Sequence, residues 1–249
     1  MNKRYMLALN KIYNCDCLEG MKSIEDNSID FIFTDPPFNT TNCEWECEVD
    51  LEALWKEWKR VIKPNGAIAI FGSEPFSSKV RMSNLEWYKY DLYWVKEKPV
   101  NFFQVKRRFG KTTENVMIFY KEQPTYNPQM VKHDGPLVKN SPKGSHNSVV
   151  SGKGKKVTPY NDTGYRYPTD ILRINRDKLG STIHETQKPL ELAELIIKSF
   201  TNEGDVVLDC FSGSGSFSLA ARNCNRNYIA FEKDETIFEK SLERFYIDM

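Results

Sequence analysis

Short apolar runs that stop at a carboxylate recur along this chain. Phe31-Ile32-Phe33 leads into Asp35, Val206-Val207-Leu208 leads into Asp209, and Tyr228-Ile229-Ala230-Phe231 ends at Glu232. Each reads as a buried strand, because a strand covered on both faces shows a continuous apolar run instead of alternation. Ala67 to Phe71 has the same character, and Lys11 to Cys15 predicts a further strand ending at Asp16, with a short helix from Leu18 to Ile24 behind it. Leu51, Leu54, Trp55, Trp58, Val61 and Ile62 recur at helical spacing, and Lys63-Pro64-Asn65-Gly66 is expected to stop that helix. Leu190, Ala193, Ile196, Ile197 and Phe200 predict an amphipathic helix, Ser216 to Asn223 another, and Ile237, Phe238, Leu242 and Phe245 a last one packed on the sheet. Tyr90 to Val95 and Val116 to Tyr120 read as two strands joined by a basic loop. Together these elements predict an α/β chain, a sheet with helices between its strands.

From Lys121 to Ile183 the periodicity dissolves into Pro, Gly, Ser, Lys and Asn. So long a stretch inside a compact domain is either functional or a disordered linker, and composition leaves both open.

The chemistry concentrates where the strands end. Asp209-Cys210-Phe211-Ser212-Gly213-Ser214-Gly215 opens into the helix at Ser216, and its glycines allow positive φ and close approach of a ligand. Glu232 follows about 20 residues beyond that turn, where dinucleotide folds place a ribose-binding acid. The bland alternative is an ordinary strand-turn-helix connection. Asp35-Pro36-Pro37-Phe38 differs in kind: two prolines remove two N–H donors, leaving the Asp35 and Pro36 carbonyls as rigid acceptors. Such a turn suits a ligand that donates, for example the exocyclic amino group of a base, with Phe38 offering a face for stacking. Without that ligand, Asp35 is a cap and Phe38 a core residue.

With both motifs and His184-Glu185-Thr186-Gln187-Lys188-Pro189-Leu190, the chain resembles the S-adenosylmethionine-dependent amino methyltransferases of DNA. Because the Pro-Pro motif precedes the glycine motif, the resemblance is to the beta-order group. Three departures stand out: Phe38 where Tyr is commoner, Glu185 where Pro is usual, and Ser216 where Thr is usual.

The resemblance implies a Rossmann-like class I methyltransferase fold, a mostly parallel seven-stranded sheet with helices on both faces and a circularly permuted motif order. It divides the chain into a catalytic half at 1–120, a target-recognition insertion at 121–183 and a cofactor-binding half at 184–249. Catalysis then falls to Asp35, Pro36, Pro37 and Phe38, which bind and localise the lone pair of an extruded base's amino group. Cofactor contacts fall to Asp209, Phe211, Ser212, Gly213, Ser214, Gly215, Glu232 and Lys188, and to Asp16, for which a helix cap before Leu18 is an equal reading. Asp rather than Ser before Pro-Pro resembles the adenine enzymes, so the 6-amino group of adenine is the expected target and the 4-amino group of cytosine the runner-up. Gly213-x-Gly215 with Glu232 also resembles a nicotinamide fingerprint lacking its third glycine, which keeps an oxidoreductase as a reading from another class. A DNA-binding relative without activity is the third.

The net charge of +1 hides an asymmetry: 17 Lys and Arg against 7 Asp and Glu lie between Lys96 and Lys178. Lys106-Arg107-Arg108 sits among Phe102, Phe103 and Phe109, and Lys153-Gly154-Lys155-Lys156 precedes Tyr160, Tyr165 and Tyr167. Basic groups interleaved with aromatics suit DNA, phosphates being held while rings meet bases; a solvated lysine-rich loop is the plain alternative. The six cysteines, Cys15, Cys17, Cys43, Cys47, Cys210 and Cys224, fit no zinc spacing beside three histidines, so free thiols and no metal are expected. With no bilayer-length apolar run and no secretory signal, the expected location is cytoplasmic. Beyond DNA and S-adenosylmethionine, a second copy of the chain and a cognate restriction endonuclease are the partners left open.

Overall fold

The computed structural model describes residues 7–38, 49–133, 135, 162–177 and 187–247. The expectations placed on Cys43, Cys47, Lys153, Lys155, Lys156, Tyr160, His184, Glu185 and Thr186 lie outside the described residues. In chain order the elements are β1 (Lys11–Asn14), α1 (Cys17–Met21), β2 (Ile29–Thr34), α2 (Leu51–Val61), β3 (Ile62–Gly72), α3 (Phe76–Ser83), β4 (Tyr88–Val95), β5 (Thr113–Phe119), β6 (Val131–Lys132), β7 (Tyr165–Arg166), β8 (Ile171–Arg173), α4 (Leu190–Phe200), β9 (Val206–Asp209), α5 (Ser216–Asn223), β10 (Asn227–Glu232) and α6 (Glu235–Ile247). Two compact units separate: 128–168, which holds the β6–β7 ribbon, and the remainder of the chain.

The larger unit is built on one sheet in the order β1-β10-β9-β2-β3-β5-β4-β8. From β1 through β10, β9 and β2 to β3 the strands pair in parallel, while β5 runs antiparallel to both β3 and β4. The sheet has eight strands, not seven. The added strand, β8, lies parallel to β4 at the edge and buries only Leu172, too short and too exposed to be seen in an otherwise polar stretch.

The continuous apolar runs are continuous because both faces are covered. Phe31, Phe33, Ala67, Ala69 and Phe71 point into one layer with Ile196, Phe200 and Phe217 from α4 and α5. Ile32, Ile68, Ile70 and Leu208 point into the other with Met21, Trp55, Trp58 and Phe76 from α1, α2 and α3. Phe217 forms the tightest aromatic contact, its ring stacked 4.0 Å from Phe33 and 5.6 Å from Phe71.

One local expectation changes. Lys63-Pro64-Asn65-Gly66 does not separate helix from strand: α2 ends at Val61 and β3 begins at Ile62. Between the pairs Ile29↔Ile62 and Phe31↔Ala67 the register slips, and this bulge accommodates a proline that has no ladder donor. Helix α3 was not legible at all, being short, weakly patterned and without a side-chain cap. No helix among the described residues is long and apolar enough to cross a membrane.

Truncating the Phe217 ring should cost about 3–5 kcal/mol of folding stability, as for other buried phenylalanines. Urea unfolding of Phe217→Ala checks this, and a loss below about 1 kcal/mol would mean that α5 does not depend on the sheet face for its seat.

Candidate active site

The sheet reverses its winding between β9 and β2. From β9 the chain passes through α5 on one face to β10, whereas from β2 it passes through α2 on the other face to β3. Strand ends at such a switch point leave a crevice. Here the crevice is a cavity of about 1120 Å³ whose lining includes Asp35, Pro36, Pro37 and Phe38 from the end of β2, and Asp209, Phe211, Ser212, Gly213 and Ser214 from the end of β9. Asp16, Lys188 and Glu232 share it. That size is at or above the upper end for a single small-ligand pocket.

The structure therefore brings the catalytic and cofactor candidates together with one exception. Gly215 does not line the cavity but turns the chain into α5 with φ +74, and an added Cβ would lie 2.9 Å from the Phe245 ring. Arg244 of α6 braces this turn from behind, donating to the Ser214 carbonyl at 3.2 Å and the Ser216 hydroxyl at 2.9 Å. Gly213, at φ +51, donates its N–H to Glu232 Oε2 at 2.8 Å, and a Cβ there would meet nothing within 4 Å. The Ser212 hydroxyl is buried without a hydrogen-bond partner among the described residues. Asp16 caps α1 by accepting from the Leu18 N–H at 2.9 Å, with its other oxygen 3.5 Å from the Lys233 ammonium.

On the Pro-Pro side, no described backbone donor reaches the Asp35 or Pro36 carbonyl. Phe38 leans on Phe76, ring centres 5.4 Å apart. One Asp35 carboxylate oxygen is held by the Lys188 ammonium; the other, Oδ1, is buried and has no hydrogen-bond partner among the described residues. Lys188 also lies 3.6 Å from Glu114 and 4.9 Å from the Phe71 ring. Burial pushes the Asp35 carboxyl up from its ordinary value against the pull of Lys188. For Lys188, burial opposes the charge, but Asp35 and Glu114 outweigh it and hold the ammonium above its usual range.

Lys96 and Glu114 were missed by sequence reasoning, although both line the cavity and are joined by an ion pair. The signal was present: each is a charge beside an apolar strand segment, Lys96 after Trp94-Val95 and Glu114 before Asn115-Val116-Met117. Of the basic loop, Arg108 lines the cavity, while Lys106 and Arg107 are exposed. Cys15, Cys17 and Cys210 also line it as free thiols.

Comparison with known proteins bears on what this cavity serves. Residues 29–243 match the model of the N6/N4 family described as DNA methylase. The type II methyltransferase M.HinfI of Haemophilus influenzae is 31% identical over 267 residues, covering 95% of this chain and 68% of that protein. M.HpaI of Haemophilus parainfluenzae is 27% identical, covering 92% and 72%. Among solved structures, the M1.HpyAVI-SAM complex matches with TM-score 0.62 and 26% identity over 94% of this chain and 98% of that one. The cytosine-N4-specific PvuII DNA methyltransferase, at 19% identity and TM-score 0.66 over 97% and 88%, shares the fold.

Asp209 offers a test of the site's electrostatics. Burial pushes its carboxyl up to about 8, against hydrogen bonds from the Phe211 N–H and the Thr34 hydroxyl. The folded chain thus keeps a proton that the unfolded chain releases above its ordinary 3.8, so this group's contribution to stability falls as pH rises from about 4 to about 8. Asp209→Asn should gain in Tm relative to the parent as pH is raised from about 5 to about 8; a difference flat in pH would contradict a neutral buried carboxyl.

Proposed function

This chain belongs to the N6/N4 DNA methylase family, and from that membership we propose that it is a site-specific DNA methyltransferase that methylates the 6-amino group of adenine in a base flipped out of the duplex. Family membership displaces the nicotinamide reading. The observation that carries the proposal is the single cavity shared by Asp35-Pro36-Pro37-Phe38 and the glycine turn. Asp at the head of the Pro-Pro motif favours adenine over cytosine.

The glycine side fits the family's cofactor. Open space over Gly213 and the unpartnered Ser212 hydroxyl suit a polar ligand laid against the backbone. Glu232 takes the ribose hydroxyls, and its two oxygens, each already accepting one N–H, from Gly213 and Asp234, retain lone pairs for them. Phe211 and Ser214 complete the wall, and Asp16 serves both as cap and as acceptor for an adenine amino group. When bound, S-adenosylmethionine supplies a methyl group activated by its sulfonium.

The Pro-Pro side handles the nucleophile. An aromatic amine is a weak nucleophile because its lone pair is delocalised into the ring. Asp35 Oδ1 and the Pro36 carbonyl accept its two N–H groups, which localises the lone pair on nitrogen, and Asp35 can take the proton released once nitrogen becomes positive. Pro37 holds the turn rigid. Phe38 stacks on the base and recovers part of the few kcal/mol spent in extruding it.

DNA approaches over the loop between β4 and β5. Phe103 and Phe109 are 98% and 99% exposed there, beside Lys106, Arg107 and Arg108, and Asn101 ties the loop's ends through the Phe109 carbonyl and the Lys111 N–H. Rings and cations presented together suit a nucleic-acid backbone and its bases. Lys153, Lys155 and Lys156 add charge for the same partner from the recognition segment at 121–183.

Incubation with DNA and tritiated S-adenosylmethionine, followed by nucleoside analysis, should yield 6-methyladenine. Exclusive 4-methylcytosine would move the target, and no transfer to any DNA would sink the enzyme. Asp35→Ala should lose turnover by at least about 100-fold while cofactor binding survives, since it removes a group that acts on the nucleophile. Replacing Lys106, Arg107 and Arg108 with alanine should flatten the salt dependence of DNA binding by about 0.9 in log–log slope for each phosphate that is no longer neutralised. An unchanged slope would remove this loop from the interface.

A further inference from the structure

The proposed chemistry leaves two buried charges at the cavity wall without a task. Lys96, at the end of β4, and Glu114, in β5, face each other across the register pair of Trp94 with Glu114, and their side chains form an ion pair. Glu114 reaches in the other direction to Lys188, 3.6 Å away, and Lys188 holds Asp35. The result is a chain of alternating charge, Lys96, Glu114, Lys188, Asp35, whose side chains are between 8% and 23% exposed. Each cation also rests on an aromatic face, Lys96 on Trp94 at 4.7 Å and Lys188 on Phe71 at 4.9 Å.

We propose that Glu114 is a positioning residue for methyl transfer: by sharing the Lys188 ammonium it keeps that cation from fully claiming the Asp35 carboxylate, leaving Asp35 free to accept the target amino group. The inference rests on the methyltransferase reading given above. A lone Lys–Asp pair in a low-dielectric site would be a tight one, with Asp35 a poor acceptor for anything else. A second carboxylate on the same ammonium divides its field, and Lys96 in turn keeps Glu114 ionised. Two features of the geometry agree with this. Among the described residues, Asp35 Oδ1 is buried in the cavity wall without a hydrogen-bond partner, and the Glu114 oxygen 3.6 Å from Lys188 accepts no hydrogen bond, so Lys188 lies between two carboxylates and is bonded tightly to one.

The charged groups that set the Asp35 field are Lys188 ahead of α4, Glu114 in β5 and Lys96 after β4; Asp209, at the end of β9, faces it as a neutral carboxyl, and Lys111 and Arg176 act one step removed on Glu114 and Lys96. Removing Glu114 exposes Asp35 to an uncompensated ammonium and makes it more acidic. Removing Lys96 takes a cation away and makes it less acidic. The acid limb of the pH profile, where Asp35 protonates and activity falls, should therefore move to lower pH in Glu114→Gln and to higher pH in Lys96→Met.

The measurement is kcat/KM for methyl transfer to DNA against pH, with S-adenosylmethionine affinity read in parallel by calorimetry. Glu114→Gln should lower kcat by about 10-fold or more, with cofactor Kd within about two-fold of the parent, because it acts on an interaction needed only in the reaction. Glu114→Asp should restore part of the rate. Opposite displacement of the acid limb in Glu114→Gln and Lys96→Met supports the proposal. Equal losses at every pH with neither limb displaced, or displacement of both in the same direction, would overturn it. If Glu114→Gln fails to fold, Lys96→Met carries the test: displacement of its acid limb to higher pH supports the proposal, and an unmoved limb refutes it. Should the parent itself transfer no methyl group, the fault lies with the methyltransferase reading and not with Glu114.

Discussion

Everything at the site depends on one pairing, β2 against β9. Phe31 lies beside Val207 and Ile32 beside Leu208, in parallel, so the chain leaves both strands at the same sheet edge. The Thr34 hydroxyl crosses between them, 3.1 Å from Asp209 Oδ1, and the Cys210 N–H reaches back to the same hydroxyl at 3.3 Å. A one-residue slip would send every side chain beyond it to the opposite packed layer, where the neighbours do not fit it, and would move the two strand-end turns out of register. The register is held because both faces carry large rings: Phe31, Phe33, Phe71, Phe200 and Phe217 on one side, Trp55, Trp58 and Phe119 on the other.

A cavity at such an edge must hold charge away from water, which is costly unless the charges compensate one another. Two devices are used. Around Asp35 the charges alternate, two lysines against two carboxylates, with aromatic faces under the cations. Asp209 is held instead by the Thr34 hydroxyl and the Phe211 N–H; burial raises its carboxyl to about 8, and it then serves as an uncharged brace for the turn that follows. Thus one strand end carries an ionic network and its neighbour a neutral hydrogen-bonded one. The division matches the work proposed for each: an acceptor for an amino group beside β2, a cradle for a cofactor beside β9.

The glycine turn shows how packing selects residues within one motif. Gly213 and Gly215 both have positive φ, yet only Gly213 faces the cavity. At Gly215 the backbone presses against α6 and β1, where Phe245 and Ile12 leave no room for a Cβ. One glycine opens onto the cavity and one serves the packing of the fold.

What the sequence determined by itself is the part written in neighbouring residues. Apolar runs ending in carboxylates marked β2, β9 and β10, helical spacing marked α2 and α4, and the Pro-Pro and glycine turns marked the two strand ends that share the cavity, because strand burial, helical periodicity and backbone freedom are local properties. Short elements with little buried surface, α3 and β8, carried too few apolar positions to be read. What only the tertiary structure decided is which distant residues share an ammonium. Asp35, Glu114 and Lys188 come from the end of β2, from β5 and from the turn before α4, and no spacing in the chain relates them. Glu114 became part of the site only when the antiparallel β5 placed its carboxylate beside Lys96 and within reach of Lys188, since electrostatic fields act through space whatever the order of the chain.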